Sequence, residues 1–180
     1  RYGNGIEEVY DPRRPGMPIN TLAIGRTDIP ELVGIDFVGR SSQVRIAMGE
    51  PRLDDDPIYK NRTIKSPYDP SKRGQARYTR HAEEDLIAHF EKEVKDHGLD
   101  PMQIKGTLYI HQSNFNGVCN KCTVGLFSES GKKGIFKQFT EKYPNVNLVV
   151  TSDTRYGDAT GFDSLTFNVI DGKISNWTKK

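Results

Sequence analysis

The stretch His81-Ala82-Glu83-Glu84-Asp85-Leu86-Ile87-Ala88-His89-Phe90-Glu91-Lys92-Glu93-Val94 is the most regular part of the chain. Ala82, Leu86, Ile87, Phe90 and Val94 recur at three- and four-residue spacing. That period predicts a helix from Thr79, as N-cap, to about His97, with Gly98 as its stop. Glu83 stands four, seven and eleven positions before Ile87, Phe90 and Val94, so it shares their apolar stripe. A carboxylate on such a stripe is costly unless it is paired or near a metal. Glu84 and Asp85 are expected to project away from the stripe. In mid-helix His81 would lie ~200° round from Glu83, so the two converge only if His81 sits in the first turn.

Working outward, Cys119-Asn120-Lys121-Cys122 places two thiols at i,i+3, where one helical turn presents both on one side. His81, Cys119 and Cys122 are ligand types that zinc favours, and three protein ligands plus a water is the pattern of a catalytic zinc. Two other readings stay open: a redox Cys-x-x-Cys, or a structural zinc borrowing His89, His97 or His111. His89 and His97 fall on the polar side of the helix, where solvation accounts for them.

Composition bounds the reading. The 180 residues make one domain of ordinary size, 34% hydrophobic and 28% charged, as suits a globular protein with a polar surface. No apolar run approaches the ~20 residues of a membrane span. A net charge of +2 neither demands nor excludes a nucleic-acid partner. Two cysteines make no disulfide framework. The chain opens at Arg1 with no Met and no signal peptide, as a piece cut from a longer polypeptide would.

Residues 1–20, with prolines, glycines and no sustained period, read as a lead-in or linker, and 21–180 as a single domain. Thr21–Ile24 and Ile35–Val38 read as strands, and Gln43–Met48 as a short helix capped by Ser41-Ser42 and stopped at Gly49. Residues 50–80 form a long loop carrying Lys60, Arg62, Lys65, Lys72, Arg73, Arg77 and Arg80 among Tyr59, Tyr68 and Tyr78. Basic side chains interleaved with aromatics suit a single-stranded nucleic-acid path, and they suit a solvated polar loop equally. Gly106–His111 reads as a strand, Gln112–Gly117 as a loop, Ile135–Lys142 as a helix ended by Pro144, and Val146–Thr151 as a central strand. The connection from there to Leu165–Val169 is short and without helical pattern, so these two strands are expected to run antiparallel. Asp171-Gly172 then turns into a short strand near Ile174.

The order of elements, His81-Ala82-Glu83-Glu84, the strand Leu108–His111 and the run from His111 through Asn114-Phe115-Asn116-Gly117 to Cys119-Asn120-Lys121-Cys122 together resemble the cytidine deaminase superfamily. Within it they are most similar to the deaminase domains of bacterial polymorphic toxins, the DNA cytosine deaminase toxins among them. His-x-Glu before Cys-x-x-Cys, with roughly 35 residues between, is the signature of zinc-dependent nucleobase deaminases. Val118 stands where most deaminases have proline, which favours a toxin branch over nucleoside or APOBEC-type enzymes.

The resemblance implies an α/β fold, cytidine deaminase-like, three-layer α/β/α with a mixed five-stranded sheet, its last two strands antiparallel. It implies that His81, Cys119 and Cys122 bind Zn2+, that a water activated by the metal attacks C4 of cytosine, and that Glu83 moves the proton. Candidate substrate contacts are Phe115 and Asn116 in the loop over the pocket, Tyr78 and Arg80 in the basic loop, and His111 at the strand end. For Phe115 a lid contact, for Asn116 turn geometry and for His111 packing are the rival roles. The implied partners are DNA, single- or double-stranded, and a cognate immunity protein, with no membrane and otherwise a monomer. The implied setting is a secreted effector delivered into the target-cell cytoplasm, used in interbacterial competition. The alternatives are an RNA or nucleoside deaminase and a non-catalytic zinc-stabilised nucleic-acid-binding module.

Overall fold

The computed structural model describes residues 21–67, 81–113 and 133–152, and the backbone of 165–170 and 173–179. Strands β1 (Leu22–Thr27) and β2 (Phe37–Arg40) are followed by a short helix α1 (Ser42–Ala47) and the main helix α2 (Ala82–Asp96). Then come β3 (Gly106–Gln112), α3 (Ile135–Lys142), β4 (Val146–Ser152), β5 (Leu165–Ile170) and β6 (Lys173–Lys179). A 3-10 turn, Pro30–Leu32, joins β1 to β2.

The sheet runs in the order β2-β1-β3-β4-β5-β6. β3 and β4 are parallel, and the other neighbours are antiparallel, so the sheet is mixed. The antiparallel course of β4 against β5, expected from their short connection, is what the register gives. The expected five strands become six, because the segment after Asp171-Gly172 is a full strand paired along β5 and not a stub near Ile174.

One face of the sheet is built for helices. Alternation along the strands puts Ala23, Gly25, Phe37, Gly39, Leu108, Ile110, Leu148 and Val150 on it, all buried. Onto this face fall Leu86, Ile87, Phe90 and Val94 of α2 and Ile135, Phe136 and Phe139 of α3. Phe90 is the hub: its ring lies 5.4 Å from Phe37, 5.4 Å from Phe139 and 5.3 Å from Tyr143. Edge-to-face and tilted pairs at these separations add to the burial itself. The opposite face carries Ile24 and Tyr109, 55% and 48% exposed, so the described helices supply the layer on one side only.

α2 is seated by a glycine. A Cβ on Gly39 would stand 1.9 Å from the Ala82 carbonyl oxygen and 2.7 Å from the Leu86 amide nitrogen. Only a residue without a side chain lets the first turn of α2 come this close to β2. At its other end α2 stops at Gly98, in the left-handed region at φ 64°, as the sequence leads one to expect.

Candidate active site

The first turn of α2 gathers the chemistry. The helix begins at Ala82, two residues later than a Thr79 cap would give, and His81 is its N-cap with extended backbone, φ −79° and ψ 165°. The helical rotation of ~100° per residue therefore does not separate His81 from Glu83, which removes the geometric obstacle to their facing one point. Glu83 is 1% exposed and shares its stripe with Ile87, Phe90 and Val94, all buried, as its spacing predicts. Three acids in the first turn of a helix are also favoured by the helix dipole.

Glu84 and Asp85 do not project into solvent. They are 1% and 2% exposed, and each is met by an arginine from the segment before α2. Arg45, from α1, donates from Nη2 to Asp85 Oδ1 at 2.7 Å and from Nε to Oδ2 at 3.1 Å. Its Nη1 donates to Asp56 Oδ2 at 2.9 Å and to the Pro51 carbonyl at 3.0 Å, and Tyr59 offers a ring face 5.5 Å from the guanidinium. Burial works against the charge on Arg45, but Asp85 and Asp56 more than offset it and hold its pKa above the usual arginine value. Arg62 does the same for Glu84, with Nη2 to Oε1 at 2.8 Å, and reaches Asp54 at 2.7 Å. Ser66 Oγ donates to the other Glu84 oxygen at 2.6 Å.

Farther along the helix, Glu91 accepts from the hydroxyl and amide of Thr63 and from Lys142 Nζ. Gln138 of α3 then exchanges two hydrogen bonds with the backbone of Lys65. The segment from Glu50 to Pro67 is thus a strap fastened across α2 and α3. For Arg62 this departs from the phosphate-track reading, since it is 7% exposed and spent on carboxylates; Lys60 is exposed, and Lys72, Arg73, Arg77 and Arg80 lie outside the described residues.

His111 lies on the sheet face opposite α2, exposed, with Nδ1 2.8 Å from Thr151 Oγ1. The sheet itself stands between it and Glu83, because residues 108, 110 and 112 are the ones that alternate toward α2. His89, read as solvated, is partly buried, with its ring edge-on to Phe37 at 5.4 Å and Nδ1 accepting from the Val38 amide at 3.4 Å. His97 is exposed, as expected. Cys119, Cys122, Phe115, Asn116, Tyr78 and Arg80 lie outside the described residues. Among the described residues no three His, Cys, Asp or Glu side chains group to hold a metal. Of the zinc donor set only His81 is therefore placed, at a helix start compatible with a ligand role.

Three residues that the sequence reading did not place at this site belong to the region: Arg45, Arg62, which it read as part of the basic loop, and Gln112; the two arginines neutralise the acids beside Glu83. Gln112 is 1% exposed at the end of β3, on the α2 face, with neither amide atom hydrogen-bonded among the described residues. Strand alternation with Leu108 and Ile110 could have signalled its burial; nothing local signals the two arginine pairings. Comparison with protein-family profiles, with curated proteins and with solved structures finds no match for this chain.

Proposed function

We propose that the chain is a zinc-dependent cytosine deaminase that acts on DNA, converting cytosine and water to uracil and ammonia. The observation that carries the reading is the burial of Glu83 on the apolar stripe of α2, two residues after a histidine that caps the helix. The cytidine deaminase-like layering belongs to this proposal, supported by the parallel β3–β4 pair and the two helices on one sheet face.

In this reading His81, Cys119 and Cys122 hold the zinc, which supplies Lewis-acid activation of a water. Glu83 would move the two protons of the attacking water in turn, one to the ring nitrogen and one to the departing amine, which leaves as ammonia. Its buried position keeps bulk water from competing for those protons. Phe115, Asn116, Tyr78 and Arg80 are the proposed contacts to the base and its strand. The domain would serve as a toxin delivered into a target-cell cytoplasm and be held in check by an immunity protein.

The test is to incubate the zinc-loaded chain with cytosine-bearing single- and double-stranded DNA and assay for uracil. Glu83→Ala should lower the rate by about 10²–10⁴ while leaving zinc content and thermal stability in place. No uracil from either substrate, with one zinc bound per chain, would sink the reading. A binding module without catalysis would be indifferent to Glu83→Ala.

A further inference from the structure

We propose that Gln112 is the specificity-determining residue of this site, its carboxamide hydrogen-bonding the amide-like edge of a neutral pyrimidine base. The inference rests on the deaminase reading and names the group that would recognise its substrate. Gln112 is 1% exposed, and neither Oε1 nor Nε2 has a partner among the described residues. A buried amide left unmade is expensive, so such groups are rare in native folds and ask for an explanation.

Position supplies one. The strand register sets Gly39 opposite Ala23, Ala23 opposite Gln112, and Gln112 opposite Ser152. Gly39 is the residue on which the Ala82 carbonyl rests, so this row runs directly beneath the first turn of α2. Gln112 lies two strands along it, about 10 Å from Gly39 by strand spacing. Gly39 and Ala23 bring next to no side chain to the row. Gln112 is the first in it with reach, and it alternates to the same face as the helix that carries Glu83.

The chemistry of the neighbourhood narrows the ligand. Gln112 is neutral and buried on an otherwise apolar strand face that, among the described residues, carries no positive charge to hold a phosphate, which argues against an anion there. A cation would choose the carboxylates. A carboxamide, with a donor and an acceptor side by side, matches a neutral edge that offers an acceptor beside a donor, as N3 and the 4-amino group of cytosine do. A site built around such a bond rejects a ligand lacking it, because the buried amide is then stranded.

The experiment uses the full zinc-loaded chain in a Glu83→Ala background, so that bound DNA stays intact. Affinity is measured for an oligonucleotide with one cytosine and for the same strand with an abasic site in its place. Adding Gln112→Leu should lower affinity for the cytosine strand tenfold or more, leave the abasic strand unchanged, and hold or raise the thermal midpoint. Gln112→Asn, which keeps the amide but shortens its reach, should fall between. A cytosine preference that survives Gln112→Leu, or a lowered midpoint in both variants, overturns the assignment and marks Gln112 as a packing residue. If the parent shows no cytosine preference and the wild-type chain makes no uracil, it is the deaminase reading that fails, and this inference with it.

Discussion

Arg45 grips Asp85 with both arms of its guanidinium, 2.7 Å from Nη2 to Oδ1 and 3.1 Å from Nε to Oδ2, although forty positions separate them in the chain. One residue earlier on the helix Arg62 holds Glu84, its Nη2 and Nε both donating to Oε1, at 2.8 and 3.2 Å. Adjacent acids on α2 are thereby tied to two different points of the chain before it, Asp85 to α1 and Glu84 to the strap. The first turn of the helix is fixed in rotation as well as in height, and Glu83 is held facing the apolar stripe.

Removing Arg45 strands Asp85 and Asp56 in a dry environment. Breaking a buried pair by deleting one partner costs about 3–5 kcal/mol, because the surviving charge is left uncompensated. Arg45→Met should therefore lose roughly that much in urea-denaturation stability, and Arg45→Lys, which keeps the charge but not the fork, should recover only part. A loss under about 1 kcal/mol for Arg45→Met would show that the pairing is incidental.

Periodicity made α2 and α3 legible, since apolar residues at helical spacing must bury one stripe whatever surrounds them. The short, non-helical connection after β4 likewise allows an antiparallel return of β5. What the sequence did not reveal is pairing at a distance. Glu84 and Asp85 look like solvated acids of a helix start until Arg62 arrives from the aperiodic strap and Arg45 from α1. That strap has no period because side-chain bonds to α2 and α3 hold it, not a repeating backbone ladder. In the same way Gln112 reads as the start of a loop, although β3 runs one residue farther and carries its side chain under α2.

Alkaline pH should act through Tyr143. Burial, and then the charge of Glu91, raise its pKa above the ordinary tyrosine value near 10. A folded-state pKa above the unfolded one means stability that is complete below about pH 10 and is lost as pH rises beyond it. Burial and then Asp85 shift Tyr59 in the same direction, so the described residues hold two such groups. Tyr143→Phe keeps the ring packed on Phe90 and Phe139 and removes one of them. Its stability should fall with pH above 10 less steeply than that of the wild type, by up to about 1.4 kcal/mol per pH unit. Parallel alkaline curves for the two proteins would contradict this.

Lys60 and Arg62, two positions apart, should behave as opposites toward DNA. Lys60 is exposed and can meet a phosphate, whereas Arg62 is buried on Glu84 and Asp54. If the domain binds DNA, Lys60→Ala should lower the slope of log affinity against log salt by about 1 without touching stability. Arg62→Gln should leave the slope alone and destabilise the fold by about 3–5 kcal/mol. A reduced salt slope in Arg62→Gln at unchanged stability would return Arg62 to the phosphate track.

Gly39 and Gly25 both lie under α2, and they separate backbone contact from side-chain contact. A Cβ at Gly25 would meet the Leu86 methyl carbons at 3.0 and 3.1 Å, ends of a side chain that can turn aside, and the Tyr109 carbonyl at 3.2 Å. At Gly39 it would meet the Ala82 carbonyl oxygen at 1.9 Å, the Leu86 amide nitrogen at 2.7 Å and Leu86 Cβ at 2.8 Å, none of which can move without the helix. Relief requires α2 to lift by about 1 Å or more, at a cost near or above the ~3 kcal/mol upper end of ordinary overpacking. Gly39→Ala should thus destabilise the chain by clearly more than Gly25→Ala in the same denaturation assay. If the chain is the deaminase proposed, deamination per folded molecule should also fall, by ~10²-fold for a shift of that size, because the lifted turn carries His81 and Glu83. Equal stability of the two variants would mean that α2 does not rest on Gly39, and unchanged turnover in Gly39→Ala would mean that the first turn of α2 is not where the reaction occurs.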